Sequence, residues 1–356
     1  MDRPETTFRV FQFPADKIPR IDGDTSDWDI VPDAYVIGSD QLADLGETQK
    51  KRDPADLDVR VRVGWVNGLN RLYFLYEATD NYWDFSSPGI RNDTFEVIVD
   101  GDASGGPLID SEHRDFWTPD TVGPRRAALD TDPRITDPER HWAGHGVHAQ
   151  NYHIFTPAAG KDWALAWGAS TWTKNFPHAN AATRYDFKHG EPGKLTLEFY
   201  ITLYDYAGPE GPQRAIESAL RENKIIGLGW IIIDYDGDPD MSKRGFWSLG
   251  RHYTMFGDAS ALPAFRLMPL EKQFQKPIDA RWTFTVVDMD RRLVAFKDES
   301  TGEITKWHWD FGDGATSTDQ HPQHTYAKPG NHVVILDVEG PAGKSRLSKV
   351  WDVQLR

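Results

Sequence analysis

The sequence predicts an all-β protein: a large antiparallel β-sandwich, jelly-roll-like, with one short helix, followed by a second, smaller β-sandwich. Three observations carry this. Apolar and polar residues alternate over about five to nine positions in segment after segment, which is the period of a half-buried strand. Gly, Pro, Asn and Asp separate these segments, as turns require. One segment alone has a helical spacing. A chain of 356 residues suits two domains.

Residues 1–20 read as an irregular lead-in, and 21–28 (IDGDTSDW) as a polar turn. Residues 58–66 (DVRVRVGWV) alternate strictly, with Val59, Val61, Val63 and Trp65 on one face. Residues 71–79 (RLYFLYEAT) and 94–100 (TFEVIVD) are the next strands, and 147–155, 194–203 and 224–234 supply more. The helix is expected at 213–223 (QRAIESALREN). Residues 103–145 form a long polar segment rich in Asp, Arg and Pro, and loops of that length are often functional. The sandwich domain is expected over 1–270, a linker over 271–280 around Glu271-Lys272-Gln273 and Lys276-Pro277, and the small domain over 281–356.

Composition narrows the partners. The net charge of −15 opposes nucleic acid and anionic membranes, because neither is drawn to such a field. With no cysteine there is no disulfide scaffold, thiol nucleophile or Cys-based zinc site. No apolar run of about 18 residues exists, so no membrane span is expected. The polar start Met1-Asp2-Arg3-Pro4 reads as a mature chain with an added Met, compatible with export. The 14 Trp and 12 Tyr serve sandwich cores, and the same side chains stack on sugar faces.

Residues 307–332 (WHWDFGDGATSTDQHPQHTYAKPGNH) place an aromatic strand before the turn Gly312-Asp313-Gly314, then His324-Thr325-Tyr326 and the turn Pro329-Gly330. This stretch, within about residues 280–356, closely resembles the PKD domain, an immunoglobulin-like β-sandwich. In bacteria that resemblance implies a secreted, periplasmic or cell-surface protein that handles polymers. Trp307 and Trp309 are expected to pack, and Asp310 and Asp313 to shape turns.

In the first domain, IDGDTSDW, RLYFLYEATDN, NDTFEVIVDGD and the acidic run 234–240 followed by Trp247 resemble the family 9 carbohydrate-binding module. That resemblance implies a two-sheet sandwich that binds sugars and often calcium. The overall arrangement resembles oligosaccharide dehydratases of bacterial ulvan-utilisation systems, which act on the unsaturated uronic acid left by ulvan lyases. The partner implied is an oligo- or polysaccharide.

Two functions are open on the residues: an enzyme acting on oligosaccharides, and a non-catalytic, calcium-containing carbohydrate-binding protein. Eight of the 12 His lie between 113 and 252, so imidazole chemistry belongs to the first domain. On a strand over 147–155, His148, Gln150 and Tyr152 share one face, while His153 shares the more apolar face with Val147, Ala149 and Phe155 and reads as a core or edge histidine. His148 and Tyr152 are therefore the expected base and acid, with His252 as a further imidazole. Gln150 and Trp142 would orient a sugar, and Arg184 with Tyr185 would hold a carboxylate and a ring face. Zinc is disfavoured: His141 and His145 are four apart, but glycines flank His145 and no HExxH exists. Asp234, Asp236, Asp238 and Asp240 alternate in a Gly/Pro-broken loop, and hard oxygens at that spacing suit structural Ca²⁺. The turn Asp22–Asp27 is a second such candidate. No organic cofactor is expected, since no phosphate loop, GxGxxG or GxSxG pattern occurs.

Overall fold

The computed structural model describes residues 2–46, 50–106, 146–168, 170–238, 240, 244–252, 255 and 258–355. The chain forms two compact units, Met1–Pro269 and Leu270–Arg356. Strands make up nearly all of the regular structure, as the alternation predicts, with short 3-10 turns between them. No helix among the described residues is long and apolar enough to cross a membrane.

The first unit is two sheets that share one strand. Sheet I runs in the order Ala164–Ala166, Gln150–Phe155, Thr94–Asp100, Ile225–Asp234, Pro263–Leu267 and Asp2–Phe13. Sheet II continues from Asp2–Phe13 through Leu57–Val66, Arg71–Asp80, Gly193–Thr202 and Ala179–Arg184. The shared strand pairs parallel with Pro263–Leu267 through Thr7–Val10 and parallel with Leu57–Val66 through Phe11–Phe13. Residues 2–13 are thus a long strand, where an irregular lead-in was expected. The alternating Phe8 and Val10, both buried, are the signal that marks it.

Between the sheets lies the core. Val59, Val61, Val63, Phe74, Tyr76, Leu197 and Phe199 point in from sheet II, and Phe95, Val97, Tyr152, Ile154 and Trp230 from sheet I. Phe74 and Phe199 stack across their pair with centroids 4.5 Å apart. By alternation, Arg60, Arg62, Leu75, Glu77, Thr196 and Glu198 face outward from sheet II. The segment after Phe13 folds over that outer face. The Phe13 ring lies so close over Gly64 that a Cβ there would sit 2.1 Å from it. Trp28 packs edge-on against Phe13, and its Nε1 donates to Glu198 Oε1 at 2.8 Å.

The helix expected at 213–223 does not form. A 3-10 turn at Pro212–Arg214 is followed by strand Ile216–Glu217, which pairs with Tyr204–Tyr206. Ile216 is exposed while Leu220 is buried, so the two do not share a buried helical face. A short segment without such a face gains too little to nucleate a helix, and strand pairing takes its hydrogen bonds.

In the second unit, a three-stranded sheet (Trp282–Asp288, Leu293–Asp298, Gln323–Thr325) and a four-stranded sheet (Thr316–Ser317, Lys306–Asp310, Gly330–Gly340, Gly343–Leu355) enclose Trp282, Phe296, Trp309, Phe311 and Tyr326. Ala280 belongs to this core and Asp279 bridges Thr301, so the end of the stretch expected as a linker is part of the unit. Asp310 Oδ1 accepts the Gly312 N–H and Asp313 Oδ1 the Ala315 N–H, which fixes the turn. Burial pushes the Asp313 carboxyl up, but His324 Nε2 at 2.8 Å and the turn N–H outweigh it and hold the group below the usual range. The buried Tyr326 hydroxyl donates to the Phe311 carbonyl at 3.1 Å. Tyr326→Phe is expected to cost this unit about 1 kcal/mol, read as a lower urea midpoint at unchanged slope.

Candidate functional site

The residues expected to act together are distributed over the sandwich. Strand Gln150–Phe155 pairs with Thr94–Asp100 so that Tyr152 lies opposite Val97, and Ile154 opposite Phe95. Val97 and Phe95 face the core, so Tyr152 does too, and it is fully buried. A phenol sealed between two sheets cannot reach a sugar, which removes Tyr152 as the acid or base. Gln150 is also buried: its Nε2 donates to the Tyr204 carbonyl and its Oε1 accepts the Tyr204 N–H, both at 3.2 Å. It clamps a neighbouring chain segment and does not face a ligand.

His148 precedes this strand, half-buried, with Nδ1 donating to the Asp205 carbonyl at 3.0 Å and its ring edge-on to Tyr206. His252 is exposed, 3.9 Å from Asp2 at the start of the first strand. Neither imidazole is brought to the other. Trp142, with His141 and His145, lies outside the described residues.

The face expected to be core holds a buried polar group. His153 and Glu96 are cross-strand partners on the outer side of sheet I. His153 Nδ1 lies 3.1 Å from Glu96 Oε2, and Asn151 Nδ2 donates to Glu96 Oε1 at 3.0 Å. His153 Nε2 faces Thr94 Oγ1 at 3.2 Å and the Ile90 carbonyl at 3.3 Å. The Thr94 hydroxyl hydrogen goes to the Asn92 carbonyl, so both ring nitrogens meet acceptors. His153 is thus a buried, hydrogen-bonded histidine, as its apolar neighbours suggest, while Tyr152 and Ile154 on the opposite face meet the core between the sheets.

A second group of carboxylates gathers at one end of the sandwich, where both sheets contribute. Asp56 precedes Leu57–Val66, Asp80 ends Arg71–Asp80, Asp93 precedes Thr94–Asp100, and Asp234 ends Ile225–Asp234. Oxygens of Asp56, Asp234 and Asp236 all lie within 4.8 Å of one another. Burial, and then Asp236 and Asp56, push the Asp234 carboxyl up. Burial, then Asp234, push Asp80 up, and the same causes raise buried Asp93 well above its ordinary value. Lys50 Nζ reaches Asp236 at 3.0 Å from the rim. Among the described residues, buried Asp234 Oδ1 accepts no hydrogen bond, and the buried Tyr76 hydroxyl is likewise without one. Burial, then Asp80, Asp93 and Asp234, raise that phenol.

These residues fit a hard divalent cation: several carboxylate oxygens converge, and a buried one is left with no donor. The carboxylates that converge differ from the alternating run that the sequence suggests. Asp234 and Asp236 take part, but Gly237, at φ +67°, turns the chain away. Asp238 and Asp240 are exposed, and Asp238 Oδ1 accepts the Asp240 N–H. Asp56, Asp80 and Asp93 escape sequence reasoning because each reads as an ordinary strand-end residue. In the turn Asp22–Asp27, the carboxylates accept local backbone N–H groups, as Asx turns do.

Arg184 ends its strand exposed, beside Gly23 and Asp24. Tyr185, 38% exposed, begins a row of rings: Phe187 at 5.1 Å, Phe85 at 6.1 Å, and His189 at 5.7 Å from Phe85. Beneath them Phe187 stacks on buried Trp83 at 4.9 Å. His189 Nδ1 accepts the Phe85 N–H at 3.2 Å. Arg184 and Tyr185 are therefore exposed beside this row, with His189 also exposed, Phe85 half-buried and Phe187 buried.

Comparison with known proteins separates the two units. Residues 286–354 match the family model described as PKD domain. The C-terminal unit is a PKD domain. Collagenase ColQ1 of Bacillus cereus is 45% identical over 53 residues, 15% of this chain and 5% of that protein. The chain thus spans a small fraction of the curated collagenases it matches. The PKD1 domain from Vibrio cholerae metalloprotease PrtV is similar at 28% identity, covering 21% of this chain and 94% of that one, with a TM-score of 0.20. Over 76% of this chain and 98% of its own, a family 9 carbohydrate-binding module from Caldicellulosiruptor kristjanssonii, solved in complex with cellotriose, aligns at 12% identity with a TM-score of 0.44.

Proposed function

We propose that the chain is a non-catalytic carbohydrate-binding protein of extracellular polysaccharide breakdown, with a structural calcium ion in its first unit. The observation that carries this reading is the exposed pair Tyr185 and His189, at the ends of a ring row whose middle is half-buried Phe85 and buried Phe187, beside Arg184. Exposed aromatic faces bury sugar C–H surface, and the flanking imidazole and guanidinium give hydroxyl partners. Asp56, Asp234 and Asp236 would hold the calcium ion, which would tie the strand ends of both sheets together. Acid–base dehydration of a uronate requires a reachable acid and base side by side. Tyr152 is sealed in the core, and His148 and His252 stand on separate elements. The PKD domain serves as a spacer or weak polymer contact.

Affinity gel electrophoresis against a panel of polysaccharides tests the reading. Tyr185→Ala is expected to weaken retardation about five- to thirty-fold, the value of one or two kcal/mol. Its melting temperature should barely move, because the side chain is partly exposed. Incubation with lyase-generated uronate oligosaccharides is expected to leave their masses unchanged. A product lighter by one water overturns the non-catalytic assignment.

A further inference from the structure

We infer that a pocket on the outer face of sheet II is a subsite for an uncharged pyranose residue; this rests on the saccharide-binding reading and narrows it. The pocket measures about 440 Å³, within the range of small-molecule sites. Its wall is the segment Thr25–Asp33, carried over the sheet and anchored there by Glu198. That carboxylate accepts the Trp28 Nε1–H at 2.8 Å and the Gly23 N–H at 2.7 Å. Trp28, Val31 and Leu75 are buried behind its walls and Pro32 is half-buried, so the lining open to a ligand is mainly polar.

The floor is an ion pair. Arg62 Nη1 donates to Glu77 Oε2 at 2.8 Å, and both side chains are largely buried. Lys194 holds the other Glu77 oxygen at 2.8 Å, and Asp33 stands 4.0 Å from Arg62. A carboxylate and a guanidinium fixed side by side offer an acceptor and donors at the spacing of adjacent hydroxyls. Preorganisation by the pair and its neighbours lowers the ordering cost of binding.

Charge selects the sugar. Asp29, Asp33 and Glu77 are set against Arg62, Lys194 and Arg60, so the cations at the pocket are already matched by carboxylates and a uronate finds no surplus positive charge. The same face continues toward the ring row. Arg184 is opposite Thr196, and Thr196 opposite Glu77, in one cross-strand line. Two strand spacings, about 10 Å, separate Glu77 from Arg184. One oligosaccharide could therefore engage both, with its uncharged residue in the pocket.

Isothermal titration of the full chain with neutral cello-, xylo- and manno-oligosaccharides and with oligogalacturonides tests this. At least one neutral series is expected to bind, with oligogalacturonides weaker by about tenfold or more. Glu77→Gln, which keeps shape and removes charge, is expected to weaken the neutral ligand about tenfold. Asp29→Ala, at an exposed position, should weaken it with no change in melting temperature, and it decides the matter if Glu77→Gln melts early. Unchanged affinity in Asp29→Ala and in folded Glu77→Gln, with Tyr185→Ala still impaired, overturns the pocket and leaves the saccharide reading standing. Preference for oligogalacturonides overturns the charge argument. If no saccharide binds the native chain, both fall together.

Discussion

Chelation with EDTA is expected to lower the melting temperature of the first unit by about 5–10 °C at pH 8, and added Ca²⁺ to restore it. A cation present at about a hundred times its dissociation constant adds about 2.7 kcal/mol, and a unit of this size shifts about 2–4 °C per kcal/mol. The pH dependence is specific. In the chelated protein, Asp234 is pushed up to about 7 and Asp80 to about 8 by burial and by each other's neighbours. The folded state then holds protons that the unfolded chain releases near its ordinary carboxylate range. That contribution is fully present below about pH 4 and is lost as pH rises through about 7 to 8. Chelated protein should therefore melt progressively earlier between pH 5 and pH 8, while calcium-loaded protein should not. Scanning calorimetry with and without chelator reads both effects. A melting temperature that ignores chelator and pH alike would falsify the calcium assignment, since crowded carboxyls cannot all ionise in a buried site without cost.

The second large effect is at His153. His153→Ala leaves Glu96 buried with its imidazole partner gone, and such a loss costs about 3–5 kcal/mol. The decisive measurement is a double-mutant cycle. Glu96→Leu with His153→Leu removes both charged or polar partners while keeping volume, so the pair should cost far less than the sum of the single changes. Additive losses would show that the two side chains are not energetically coupled. Saccharide affinity in the double variant carries a separate message: it should be near native, because the Arg62–Glu77 floor lies on sheet II and the aromatic row on the segments that follow two of its strands.

Several of these residues were visible in the sequence as chemistry but not as geometry. Asp234 and Asp236 were visible as candidate ligands, yet Asp56 comes from a segment about 180 positions away and carries no local mark. Arg62 is opposite Leu75 and reaches Glu77 diagonally across adjacent strands, a contact that needs the pairing register and not just the two patterns. The 213–223 segment misled because its apolar spacing is local, whereas the competing partner, Tyr204–Tyr206, is outside any helical window.

The sequence by itself determined the all-β class, the turn positions and the PKD domain, because strand period and turn chemistry are local properties. Only the tertiary structure decided which side of strand Gln150–Phe155 meets the core. An alternation of two is unchanged when its faces are exchanged, and the sign is set by the neighbouring strand, where Val97 pins Tyr152 inward. It likewise decided which carboxylates converge, since that depends on two sheets closing over the same end of the sandwich.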